Sequence, residues 1–196
     1  MLKPGFHQLP AGHIAEVITF LEMLERPALR PEAALDLTLE RVETPDLEWY
    51  RRIFRVVGGD YLWFGRLELA DADLAQVLHD PMVHVYALRS GTQEAGLLEL
   101  DFRQEGECEL AYFGMAPEFV GGGAGRWLMN RTIDLAWDAG IHRLSVHTCT
   151  LDHPAALAFY QRSGFRPYAR EVETAEDPRL RGLLPESAAP QVPIIR

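Results

Sequence analysis

Between Glu109 and Asn130 a strand-like run enters a glycine-dense turn, Gly121-Gly-Gly-Ala-Gly125, which opens directly into a helix-like run. Glycine has no Cβ, so successive main-chain N–H groups can converge there, and the first N–H groups of a helix lack an intrahelical acceptor. A phosphate accepts from both sets, so the segment reads as an anion cradle and its ligand as a phosphate ester. Two nucleotide motifs are excluded by the residues themselves. A P-loop needs lysine and a hydroxyl directly after its last glycine, where Arg126 and Trp127 stand. A dinucleotide fingerprint needs glycines at its first, third and sixth positions, whereas Gly121, Gly123 and Gly125 alternate and Arg126 occupies the final place.

The other chemistry-bearing residues are sparser. His142, His147 and His153 show no spacing that puts two of them on one helical face, so no metal is expected. His147 and His153 fall near the ends of a strand and of the next helix, where ligand contact and a surface or capping role are both open. Cys108 and Cys149 are too few for a disulfide framework or a cysteine-rich zinc site, and in apolar strand-like runs they read as buried free thiols.

The elements that position these residues follow from periodicity. Gly12–Met23 and Leu35–Val42 are rich in β-formers and read as two early strands that can pair, separated by Pro27 and Pro31. Pro45, followed by Leu47, Tyr50, Phe54 and Val57 and stopped by Gly58-Gly59, predicts an amphipathic helix, and Asp71–His79 a second. The aromatic cluster Tyr61-Leu-Trp63-Phe64 between them is read as core filling, with pocket lining as the alternative. Val83–Arg89, Gly96–Phe102 and Cys108–Met115 predict an antiparallel meander that delivers the chain to the glycine turn.

After the turn, Leu128, Met129, Leu135 and Ala136 define an apolar helix face and Asn130, Asp134 and Asp138 a polar one. Arg143–Cys149 then predicts a strand and Pro154–Ser163 a helix, a crossover pattern that makes strands locally parallel. Beyond Glu173, Pro185, Pro190 and Pro193 break any regular element, and residues 174–196 read as an extended proline-rich tail. The terminal Val192-Pro-Ile-Ile is left open between an edge strand and a docking segment.

Length and composition bound the rest. At 196 residues, 47% hydrophobic and 24% charged, the chain suits one globular domain. Its formal charge of −10 argues against a nucleic-acid partner and is compatible with a cationic small molecule or a basic peptide. Met1–Gln8 contains no apolar signal core, and no apolar run approaches the roughly 20 residues that span a bilayer. No membrane partner and a cytoplasmic location are therefore expected.

Together these residues resemble the GNAT N-acetyltransferase superfamily from about Leu35 to Glu173, most specifically from Glu109 to Phe165. The family's acetyl-CoA loop, Gln/Arg-x-x-Gly-x-Gly/Ala after its fourth strand, is matched by Val120, Gly121, Gly122, Gly123, Ala124 and Gly125 except at Val120; Gly122 also replaces a frequent basic residue. Arg126 is a candidate for the missing charge. A second block, Asp152–Phe165, is similar to the family's Asn-x-x-Ala-x-x-x-Tyr-x-x-x-Gly-Phe helix, with His153 at the usual Asn and Ala156, Tyr160, Gly164 and Phe165 matching.

The resemblance implies an α/β (α+β) fold: a mixed, mostly antiparallel sheet splayed between its strands 4 and 5, with helices on both faces. Residues 1–34 are then an N-terminal extension that adds strand, and 35–173 the core. It implies acetyl-CoA as co-substrate, with no metal, and pantetheine against the main chain of Phe113, Gly114 and Met115. The reaction implied is transfer of acetyl to a primary amine in a ternary complex, the amine belonging to a small molecule or a peptide. Glu109 becomes the candidate base, with Glu99, Asp101 or a water chain in reserve, and Tyr160 the candidate general acid. A non-catalytic acyl-CoA-binding or sensor module is the alternative function; a homo-oligomer is left open.

Overall fold

The computed structural model describes residues 3–196. Seven strands form one sheet: β1 (His13–Met23), β2 (Thr38–Val42), β3 (Val83–Ser90), β4 (Gln93–Asp101), β5 (Glu107–Met115), β6 (Arg143–Cys149) and β7 (Arg166–Glu176). Their spatial order is β2-β3-β4-β5-β6-β1-β7. All neighbours are antiparallel except β5 and β6, whose pairing is parallel and confined to Glu107–Glu109 against Arg143–Ser145. Beyond that short contact the two strands diverge. The family's fourth and fifth strands are here β5 and β6, so the expected splay lies between them.

The meander β3-β4-β5 matches its sequence signals. The two early strands do not pair with each other: β2 lies against β3 at one edge, while β1 inserts between β6 and β7. The physical reason is that β6 and β7 run parallel to one another, and β1 satisfies the facing main-chain groups of both by running antiparallel to each. The crossover reading therefore holds for direction, with β1 interposed.

Helices cover both faces. On one side α1 (Leu47–Gly58) starts where the Asp46 side chain accepts from Trp49 N–H at 2.8 Å, a cap that satisfies one of the free N–H groups of the first turn. Its buried face, Tyr50, Ile53, Phe54 and Val57, packs with Leu97 of β4 and with Leu74 and Leu78 of α2 (Asp71–Leu78). On the other side α3 (Ala124–Asp138) and α4 (Ala156–Arg162) pack Leu128, Met129, Ile133 and Tyr160 against Leu98, Leu100, Leu110 and Phe165. Each such buried aliphatic or aromatic side chain stabilises the fold by about 1.5–3 kcal/mol relative to exposure.

Two polar positions differ from the expected pattern. Asn130 is 4% exposed rather than on a solvent face, because its amide donates to Arg30 O and to Glu32. Arg131 pairs with the same Glu32, and Arg26 bridges Asp134 and Asp138. These contacts strap residues 26–32 along α3.

Nor is the C-terminal segment an extended tail. No regular element follows β7, as the prolines require, but Leu184, Ala188 and Ala189 are buried in the cluster around α1, and Ile195 O accepts from Gly12 N–H. Arg179 and Asp177 form an ion pair whose side chains are 1% and 2% exposed. The same guanidinium donates to the carbonyls of Ala188, Ala189 and Val192. Three carbonyls of an irregular segment are thus gathered by a single arginine.

Candidate functional site

The glycine turn stands at the mouth of the splay. Gly121 and Gly123 adopt φ of +90° and +92°, a region that L side chains rarely occupy, and a Cβ at Gly121, Gly122 or Gly123 would meet open space. Room is therefore held in front of the main chain. Gly123 begins α3 without any side-chain cap, and the first turn carries no acidic residue. The N–H groups of Ala124, Gly125 and Arg126 are left facing outward, aligned with the positive end of the helix dipole. Replacing Gly123 with valine is expected to weaken binding of a phosphate ester at this turn by about tenfold to a hundredfold, because a positive φ costs about 1–2 kcal/mol and moves the donors. Titration calorimetry measures the first effect, and the melting temperature, a few degrees lower, the second.

The strand beside the turn supplies a second set of donors. Ala116 N–H donates to Ala95 O on the β4 side, and direction alternates along a strand, so the N–H and C=O groups of Phe113 and Met115 face the gap toward β6. A bulge at Ala111, where Glu99 pairs Tyr112 and Leu100 pairs Leu110, bends β5 where it leaves β6. Gly114 permits α1 to pack closely, since a Cβ there would lie 2.6 Å from Val57.

Two cavities meet in the splay. The first, about 460 Å³, runs from the glycine turn to Phe113, Gly114 and Met115 and carries Arg30, Arg126 and Arg162. The second, about 250 Å³, lies between β5, β6 and β1 and carries Glu16, Glu68, Asp152 and Glu173. Tyr61, Trp63, Phe113, Asp152 and Tyr160 line both. Positive charge is thus gathered on one side of Tyr160 and negative charge on the other.

The wall between them is well fixed. Asp152 accepts from Trp63 Nε1 at 2.8 Å, Thr148 Oγ1 at 2.6 Å and Cys149 N–H at 2.9 Å. Tyr160 is 7% exposed, and its hydroxyl has no hydrogen-bond partner among the described residues. Burial pushes its pKa well up and the Asp152 charge adds to this, so the phenol stays protonated. Burial likewise raises the Cys149 thiol, with Asp152 contributing, which keeps it from being a thiolate nucleophile. Cys149 is only half-buried in the cavity wall, whereas Cys108 is fully buried as expected.

Of the residues singled out in the sequence, Phe113, Gly114, Met115, Val120, Gly121, Gly123, Gly125, Arg126, His153, Ala156 and Tyr160 line the first cavity, and Gly122 and Ala124 do not. Arg126 spends one donor on Pro31 O at 3.0 Å. Glu109 lines neither cavity; it is half-exposed and meets His147 Nδ1 at 3.4 Å, and His147 lines the second. The hydrogen bond to Glu109 raises the His147 pKa against partial desolvation of the ring. Glu99 is 0% exposed on the α1 face, engaged by Tyr50 and Arg66, and Asp101 pairs with Arg103. Arg30 and Glu16 also line the cavities, and no local sequence pattern marks either. The aromatic cluster does both expected things: Leu62 is buried in the core, while Tyr61 and Trp63 line the cavities.

The model of the acetyltransferase (GNAT) family matches residues 47–165, more than half of the chain. The chain belongs to the GNAT acetyltransferase family. No curated protein matches it. This GNAT chain resembles in fold a GCN5-related N-acetyltransferase from Sphaerobacter thermophilus, at 16% identity and TM-score 0.62 over 84% of this chain and 53% of that one. It also resembles a conserved protein of unknown function from Staphylococcus epidermidis, at 15% identity and TM-score 0.54, covering 85% of this chain and 64% of the other. The chain thus spans less than two thirds of the length of these two. An aminoglycoside acetyltransferase from an uncultured soil metagenomic sample matches at 17% identity and TM-score 0.54, over 65% of this chain and 87% of that one. No helix among the described residues of this GNAT chain is long and apolar enough to cross a membrane.

Proposed function

We propose that the protein is an N-acetyltransferase that passes an acetyl group from acetyl-CoA directly to a primary amine. The observation that carries this reading is the pair of oppositely charged cavities sharing Tyr160 as a wall. In this reading the pyrophosphate takes the N–H groups from Gly121 to Arg126, with Arg30 and Arg162 as counter-charges. Pantetheine lies along Phe113 and Met115, and Met115 N–H polarises the thioester carbonyl.

An amine with a lysine-like pKa near 10.4 lies about three units above neutral pH, so freeing its lone pair costs about 4 kcal/mol. His147 takes that proton, and Glu109 acts through it, holding the imidazole and raising its basicity. The neutral nitrogen attacks the carbonyl carbon and the C–S bond breaks. The Tyr160 hydroxyl, kept protonated by its surroundings, donates to the departing sulfur, which leaves as the thiol once protonated. The raised thiol pKa of Cys149 supports direct transfer without an acyl-enzyme.

The proposed His147–Glu109 relay has a signed consequence. A base works when deprotonated, so activity rises as pH passes through the His147 pKa. Glu109→Gln removes the interaction that raises that pKa, and the acid limb of kcat is expected to move to lower pH while the plateau falls. An unchanged limb removes Glu109 from the relay. The function itself is tested by titrating acetyl-CoA calorimetrically and then following thiol release over a panel of amines. Binding with release from at least one amine is expected, whereas binding without release from any amine makes the protein an acyl-CoA sensor.

A further inference from the structure

The acidic cavity narrows the acceptor. Asp152 is satisfied only by neutral donors, so its charge is not cancelled. Glu68 is bridged to Arg181 at 2.8 Å. Glu16 and Glu173 stand directly opposite each other on β1 and β7, and neither has an ion-pair partner among the described residues. Like charges facing across an antiparallel pair repel, and burial, Glu173 and Asp152 all work against ionisation of Glu16. No lysine or arginine lines this cavity, and its one histidine, His147, is already matched by Glu109.

The unpartnered hydroxyl of Tyr160 is an independent sign of a ligand here. The residue is more than nine-tenths buried, and its hydroxyl meets no acceptor among the described residues and opens where the two cavities meet, so that a ligand there can complete it. The same wall includes the apolar Ile18, Leu110 and Val146.

We propose that the acceptor is a linear aliphatic diamine or polyamine, one nitrogen of which reacts beside Tyr160 while a second ammonium is held between Glu16 and Glu173. This rests on the acetyltransferase reading above. The cavity of about 250 Å³ has room for a short amine chain. A monoamine would leave the carboxylate pair uncompensated. In the transfer, the reacting nitrogen bonds to the acetyl carbon as the C–S bond breaks and loses a proton to the base. The sulfur gains a proton, and the products are coenzyme A thiol and a mono-acetylated amine that keeps its distal ammonium.

The test compares a diaminoalkane with the n-alkylamine of equal chain length, by thiol release with saturating acetyl-CoA. The diamine is expected to be favoured at least about tenfold in kcat/KM, an advantage that shrinks with added salt. Glu16→Gln and Glu173→Gln are each expected to raise the KM for the diamine several-fold and to narrow the gap. Glu173 is exposed on an edge strand, so its variant keeps the test usable if Glu16→Gln fails to fold. Equal efficiency for the two amines, or variants that leave the gap intact, overturns the diamine assignment while the acetyltransferase reading stands. Acetyl-CoA binding with no release from any amine overturns both.

Discussion

Replacing Tyr160 with phenylalanine is expected to lower kcat for acetyl transfer about 10²–10⁴-fold, the range over which a positioned proton donor contributes. The affinity for acetyl-CoA should change little, because the donors proposed for the pyrophosphate are main-chain groups 34 or more residues earlier in the chain. The melting temperature should not fall either: the hydroxyl makes no hydrogen bond within the protein among the described residues, and the ring keeps its edge contacts with Phe113, Phe159 and Phe165. A loss of turnover without loss of binding or stability separates a proton donor from a packed core tyrosine. Unchanged turnover removes Tyr160 from the mechanism.

The second large effect is on stability and lies far from the cavities. Arg179→Met is expected to destabilise the fold by about 3–5 kcal/mol, because it leaves the Asp177 charge buried and unpaired. The carbonyls of Ala188, Ala189 and Val192 lose their donor in the same step. For a chain of this size that corresponds to a drop in melting temperature of roughly 6–20 °C. Hydrogen bonding to Arg179 holds the Asp177 carboxyl below the usual carboxylate range. A depressed carboxylate stabilises the fold above its unfolded pKa of about 3.9 and loses that contribution as pH falls through the folded value. The deficit of Arg179→Met should therefore shrink below about pH 4. Denaturant titrations at neutral and acid pH measure both, and a loss below about 1 kcal/mol at neutral pH contradicts the clasp.

What the sequence made legible was local. The glycine turn was readable because Gly121 and Gly123 carry the positive φ that only glycine adopts freely, and because the helix that follows begins beside them. The meander was readable because turn signals separate its three strands. Tyr160 was marked only by the resemblance of Asp152–Phe165 to the family's helix motif. The insertion of β1 was not, since its partners lie more than 120 residues away and strand pairing at that distance leaves no periodic trace. Glu16 was missed for that reason, and Arg30 because residues 26–32 take their position from α3. The tail escaped as well: prolines announce the loss of regular structure, but nothing in them tells that Arg179 will gather the carbonyls.

The proposed transfer requires the thioester to lie where the two cavities meet. A crystal structure with a non-hydrolysable acetyl-CoA analogue measures this. The expected result has pyrophosphate oxygens about 3 Å from N–H groups between Gly121 and Arg126, and the atom in the sulfur position within hydrogen-bond reach of the Tyr160 hydroxyl. A bound analogue whose acyl end lies well out of reach of Tyr160, or whose pyrophosphate sits away from the glycine turn, contradicts it.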